Sequence, residues 1–85
     1  FSEIYEITHA NARFLRVHFK KIGVEKNYDF IRIKDASGVT LEDITGEKEN
    51  YVSEYVEGST MKISFEADSS VNGYGFAIDS YDYIE

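Results

Sequence analysis

Two short stretches concentrate the groups able to do chemistry. VEKNYDF, residues 24–30, carries Glu25 and Asp29 at the entry to an apolar run. FEADSSVNGYGFAI, residues 65–78, sets Asp68, Ser69, Ser70 and Asn72 between two apolar runs. Carboxylates, hydroxyls and amide oxygens are hard ligands of the kind that Ca2+ gathers, about 6–8 oxygens at about 2.3–2.6 Å. Carboxylates brought together without a cation repel and raise one another's pKa. Convergence of Glu25, Asp29 and Asp68 would therefore call for a metal. The spacing is not that of an EF-hand loop. The alternative is ordinary turn chemistry, with Asp68 capping its own turn through an Asx hydrogen bond and the other carboxylates solvated.

Catalytic chemistry finds less support. The chain has no cysteine and two histidines. His18 alternates with Arg16 on the outward face of an expected strand, a solvated position, and His9 sits in a THAN loop between strands. No strand-turn-helix context offers a serine elbow, and no glycine-rich loop offers a phosphate cradle. The expectation is a non-catalytic domain. Tyr5, Tyr51, Tyr55, Tyr81 and Tyr83 are numerous for so small a chain. They either complete the core with hydroxyls at its rim or form a surface for sugar rings or a protein.

The elements that must position these groups are strands. ARFLRVHFK sets Leu15, Val17 and Phe19 on one face and Phe14, Arg16 and His18 on the other. MKISF sets Met61, Ile63 and Phe65 inside, with Lys62 and Ser64 outside. YDFIRIK places Asp29, Ile31 and Ile33 against Phe30, Arg32 and Lys34. Period-two alternation of this kind marks half-buried strands. Strands are expected near 3–8, 12–20, 28–34, 39–44, 51–56, 60–66 and 74–83. Turns are expected at DASG (35–38), where Gly38 can take positive φ, at TGEKEN (45–50), at EGS (57–59) and at SSVNGYG (69–75). Strands at such spacing, with no helical periodicity, define an all-β sandwich.

At 85 residues, 1–85 is read as a single domain. A chain this short is marginally stable unless something staples it, and without cysteine the staple is not a disulfide. The net charge of −7 argues against nucleic acid and anionic membranes. No apolar run is long enough for a membrane span. Ten Glu and six Lys are a composition met in heat-stable proteins. The opening FSEIYEI reads as the abrupt start of a module excised from a longer protein.

Three segments in order, FLRVHFKKIGVEKNYDFIRIKDASG, the TG at 45–46, and MKISFEADSSVNGYGFAI, resemble a CUB domain. Phe19, Glu25, Tyr28-Asp29-Phe30, Phe65, Asp68-x-Ser70 and Gly75-Phe76 take the places of that family's marks. With ITHANARFLRVHF, the chain is similar to the cysteine-free CUB-like modules that follow secreted subtilisin-like proteases of archaea and heat-loving bacteria. The animal family's disulfides are missing, and the gap between Glu25 and Asp29 is shorter than usual. The resemblance implies a jelly-roll antiparallel β-sandwich. It implies Ca2+ held by Glu25, Asp29 and Asp68, with Ser70 and Asn72 completing the shell. It implies a secreted, calcium-binding accessory domain whose partner is the parent protease's catalytic domain in the same chain. The competing expectation is a recognition module for an extracellular protein or polysaccharide.

Overall fold

The computed structural model describes residues 2–67 and 75–85. These form eight strands: β1 (Ser2–Thr8), β2 (Phe14–Gly23), β3 (Phe30–Asp35), β4 (Thr40–Ile44), β5 (Glu47–Val52), β6 (Val56–Glu57), β7 (Thr60–Glu66) and β8 (Gly75–Ile84). No helix occurs among the described residues, so none is long and apolar enough to cross a membrane. The pairings are antiparallel throughout. One sheet runs in the order β1-β7-β3-β4. In the other, β2 is central, with β5 and β6 along one side and β8 along the opposite side.

The two sheets face each other as a β-sandwich, because each strand's alternation gives one face that must leave water. Leu15, Val17, Phe19 and Ile22 of β2 meet Ile31 and Ile33 of β3 and Met61, Ile63 and Phe65 of β7 in one buried cluster. Val56 and Ile44 close it. The inside-outside pattern read from ARFLRVHF and MKISF therefore holds, with one exception. Ser64 was expected outside, and its face is right, yet it is 1% exposed. Its hydroxyl donates to Glu66 Oε2 at 3.0 Å. Glu66 is in turn paired with Arg32, which also reaches Asp43 Oδ1 at 2.9 Å. The long side chains form a lid over Ser64.

Facing switches partway along the second sheet. On β2 the buried positions step from Phe19 to Ile22, leaving both Lys20 and Lys21 exposed. On β8 the step falls at Asp79 and Ser80, where the pairing changes from Ile78↔Phe19 to Ser80↔His18. An irregularity of this kind re-aims side chains without losing the ladder. It lets Phe76 and Ile78 pack on the core while Tyr81 and Tyr83 lie opposite Val17 and Leu15.

Two expected features need correction. TGEKEN was read as a turn, but Glu47–Val52 is a strand along β2, from Gly23↔Glu47 to His18↔Val52. The turn shrinks to Thr45-Gly46, with Gly46 at φ 89°. The strand expected at 51–56 divides, because the chain leaves β2 after Val52 and rejoins it as the two-residue β6 opposite Phe14 and Leu15. Ser53 sits at the break, its backbone N–H bonded to Val17 O at 2.9 Å and its hydroxyl accepting from Val17 N–H at 3.0 Å. The DASG turn forms as expected. Asp35 Oδ1 accepts from Ser37 N–H, Ser37 hydroxyl and Val39 N–H, and Gly38 takes φ 94°. These bonds, the Ser37 hydroxyl first, hold the Asp35 carboxyl below its usual range.

Candidate functional site

The turn between β2 and β3 carries the first two expected ligands. Backbone N–H groups of Tyr28 and Asp29 donate to Glu25 O at 3.2 and 2.9 Å. Asp29 Oδ2 accepts from Glu25 N–H at 3.1 Å. Asn27 holds φ 68°, a left-handed conformation that Asn tolerates better than most side chains. The turn is clamped to the end of β4 by Thr45: its Oγ1 accepts from Asn27 N–H at 2.8 Å and donates to Asp29 O at 2.8 Å. Val24 N–H reaches Gly46 O at 3.2 Å. Asp29 was expected to open the strand on the face of Ile31. It precedes the strand instead, as the closing residue of this turn.

The ladders fix what lies beside the turn. Phe30 pairs with Glu66, so Asp29 is one step beyond that pair, next to Ala67. Gly23 pairs with Gly75, two residues before Glu25. Both strand ends that border 68–74 thus stand against the chain that makes the Glu25–Asp29 turn. The expected ligands Asp68, Ser70 and Asn72 lie outside the described residues. Among the described residues, no group of three or more His, Asp and Glu stands ready for a metal.

The outward face of the second sheet corrects the reading of His18. It is not simply solvated: Nδ1 is bonded to Asp79, the residue at the facing switch. That bond, more than any other contact, holds the Asp79 carboxyl below its usual range. Next to it, Arg16 Nε donates to Asp82 at 2.8 Å and its guanidinium lies over the Tyr55 ring at 4.6 Å. Ser80, opposite His18 in the ladder, donates its hydroxyl to Asp79 at 3.3 Å rather than to the imidazole, and His9 has a different task. Its ring stacks on Tyr83, centroids 3.7 Å apart, and its Nδ1 is 3.0 Å from the Tyr81 hydroxyl.

The five tyrosines singled out by the sequence are all engaged. Tyr5 donates to Glu3 at 2.9 Å and meets Phe76 edge-on. Tyr51 donates to Glu42, with Lys48 Nζ 5.3 Å from its ring centroid. Tyr55, Tyr81 and Tyr83 are held by Arg16 and His9 as above. Lys48, Arg16 and His9 lie over a face of Tyr51, Tyr55 and Tyr83 respectively, while Tyr5, Tyr55, Tyr81 and Tyr83 remain 38–46% exposed.

Sequence reasoning missed two positioning residues. Thr45 was quoted only within the TGEKEN turn and the TG at 45–46, and its partners lie 16 and 18 residues away. Glu42 was not singled out within the strand expected at 39–44. Its carboxylate takes the Tyr51 hydroxyl and, at 2.9 Å, Glu54 N–H, which ties β4 to the opposite sheet. No family model, curated protein or solved structure matches the chain.

Proposed function

We propose that this chain is a non-catalytic accessory domain of a secreted hydrolase, of CUB-like jelly-roll type, stapled at one end by Ca2+. The observation that carries the reading is the register just described. The Glu25–Asp29 turn borders Ala67 through β3 and β7, and Gly75 through β2 and β8. A cation held between Glu25, Asp29, Asp68, Ser70 and Asn72 would crosslink both sheets at the place where the β7-to-β8 connection leaves and returns. The donor set fits calcium: carboxylates and neutral oxygens, no sulfur or imidazole. The two antiparallel sheets of the sandwich support the fold half of the reading. The partner is the parent's catalytic domain.

Isothermal titration of the domain with Ca2+, and with Mg2+ as control, tests the reading. Wild type is expected to bind Ca2+ with measurable heat. Asp29→Asn keeps an acceptor for Glu25 N–H but loses the charge, and is expected to weaken binding at least tenfold. Absence of calcium binding to the wild type removes the proposal.

A further inference from the structure

The turn between β2 and β3 shows most of its surface to water. Glu25, Lys26, Asn27 and Tyr28 are exposed, and Asp29 is half-buried. Hydrogen bonds rather than packing therefore set its shape. Its internal bonds run from Tyr28 and Asp29 N–H to Glu25 O, and from Glu25 N–H to Asp29 Oδ2. The bonds that tie it to the end of β4 meet at Thr45-Gly46. Val24 N–H reaches Gly46 O at 3.2 Å. Thr45 Oγ1 accepts from Asn27 N–H and donates to Asp29 O, both at 2.8 Å. Glu25 O lies 3.4 Å from the same oxygen. One hydroxyl thus touches the turn at its left-handed residue and at its closing residue. Its own place is fixed by the core, because Ile44, the residue before it, is 1% exposed and pairs with Ile31.

We propose that Thr45 is a positioning residue for the cation: its hydroxyl presets the Asp29 carboxylate and so sets calcium affinity, beyond what it adds to stability. The inference rests on the calcium reading above. A hydroxyl suits the task because it accepts and donates at once, and a valine of the same shape does neither. The bond from Asn27 N–H holds a residue at φ 68°, a conformation that a side chain adopts at a cost. The bond to Asp29 O, with Glu25 O on Asp29 N–H, fixes the backbone on both sides of Asp29. Oδ2 on Glu25 N–H then aims the carboxylate. A carboxylate has about four lone-pair sites, so that bond orients the group without exhausting it. Groups that hold a metal's ligands in place are typically worth about 10–100-fold in affinity. Without the clamp, the cost of ordering the turn falls on cation binding.

The test is calcium titration of wild type, Thr45→Val, Thr45→Ser and Ser53→Ala by calorimetry, with folding and Tm of each measured in EGTA by circular dichroism. Thr45→Val is expected to weaken Ca2+ binding about tenfold. Thr45→Ser keeps a group that can make both bonds and is expected to stay within about twofold of wild type. Ser53→Ala removes the hydroxyl that receives Val17 N–H at the break between β5 and β6. It is expected to lower Tm in EGTA and to leave calcium affinity unchanged, a split that a merely structural role for Thr45 would not show. In the wild type, Asn27 N–H, whose acceptor is Thr45 Oγ1, is expected to exchange with solvent more slowly once Ca2+ is bound. In a wild type that binds Ca2+, four results overturn the inference and spare the calcium reading. They are full affinity in Thr45→Val, Thr45→Ser as weak as Thr45→Val, an equal loss in Ser53→Ala, and Asn27 exchange indifferent to Ca2+. No binding of Ca2+ to the wild type removes both.

Discussion

The two long sides of this sandwich are built from similar strands and end differently. On the β4/β5 side, Glu42 reaches across to the Tyr51 hydroxyl and Glu54 N–H, so that one carboxylate ties the sheets together. On the β1/β8 side, the sheets meet through Tyr5 on Phe76 and through His9 on Tyr81 and Tyr83. Both sides put aromatic residues at the rim of the core. The closed side adds a charge-assisted bond in a partly buried place, which is stronger than a neutral one. Among the described residues all four outer strands, β1, β8, β4 and β5, keep an unpaired side, and the open β1/β8 side also holds an apolar cleft. A small domain can leave a side open only if its centre is sufficient, and the inner faces of β2, β3 and β7 supply that centre.

Substitutions can sharpen this contrast. Phe19→Ala, at a fully buried position touching rings from both sides, is expected to lower unfolding free energy by about 3–5 kcal/mol, measured by urea denaturation. Glu42→Ala leaves Tyr51 and Glu54 N–H without their acceptor. A loss of about 1–2 kcal/mol is expected, with both sheets loosened along β4 in hydrogen exchange. Tyr5→Ala on the open side is expected to cost less than about 1.5 kcal/mol, the scale of one aromatic pair. If Tyr5→Ala proves as damaging as Glu42→Ala, the open side is holding the fold and the contrast fails.

The pH dependence separates the sides again, with smaller effects. Asp79 on the open side has a depressed pKa in the fold because of His18. Its contribution is present above the unfolded value near 3.9 and is lost as pH falls through the folded value. Asp79→Asn should flatten that acid limb of stability. Tyr51 on the closed side is pushed up to about 12 by its bond to Glu42. Its contribution is present below the unfolded value near 10 and is lost as pH rises toward the folded value. Glu42→Gln should flatten the alkaline limb.

Features fixed by near neighbours were legible in the sequence. Alternation in FLRVHF, FIRIK and MKISF gave the buried faces, and Asp35 and Gly38 gave their turn, because each depends on residues a few positions apart. β5 was not legible. Glu47, Lys48, Glu49 and Asn50 show no apolar alternation, and all four are exposed. They are a strand because β2 offers them an edge, which is a long-range fact. The same reason hid Glu42, Thr45 and the lid over Ser64, whose partners lie far along the chain. In the candidate site, residue type pointed to Glu25 and Asp29. Their placement in a turn tied to Thr45, beside both borders of 68–74, required the strand register.

Thermal unfolding in millimolar Ca2+ and in excess EGTA, with Mg2+ as control, tests the calcium staple most directly. A ligand that binds only the folded chain at a hundredfold excess over Kd adds about 2.7 kcal/mol. For a domain of this size, that corresponds to a rise of at least about 10 °C in Tm. The account predicts such a rise with Ca2+ and not with Mg2+, largely lost in Asp29→Asn, whose Tm in EGTA stays close to that of the wild type. An unchanged Tm on adding Ca2+ would contradict it and return Glu25 and Asp29 to the ordinary work of closing a turn.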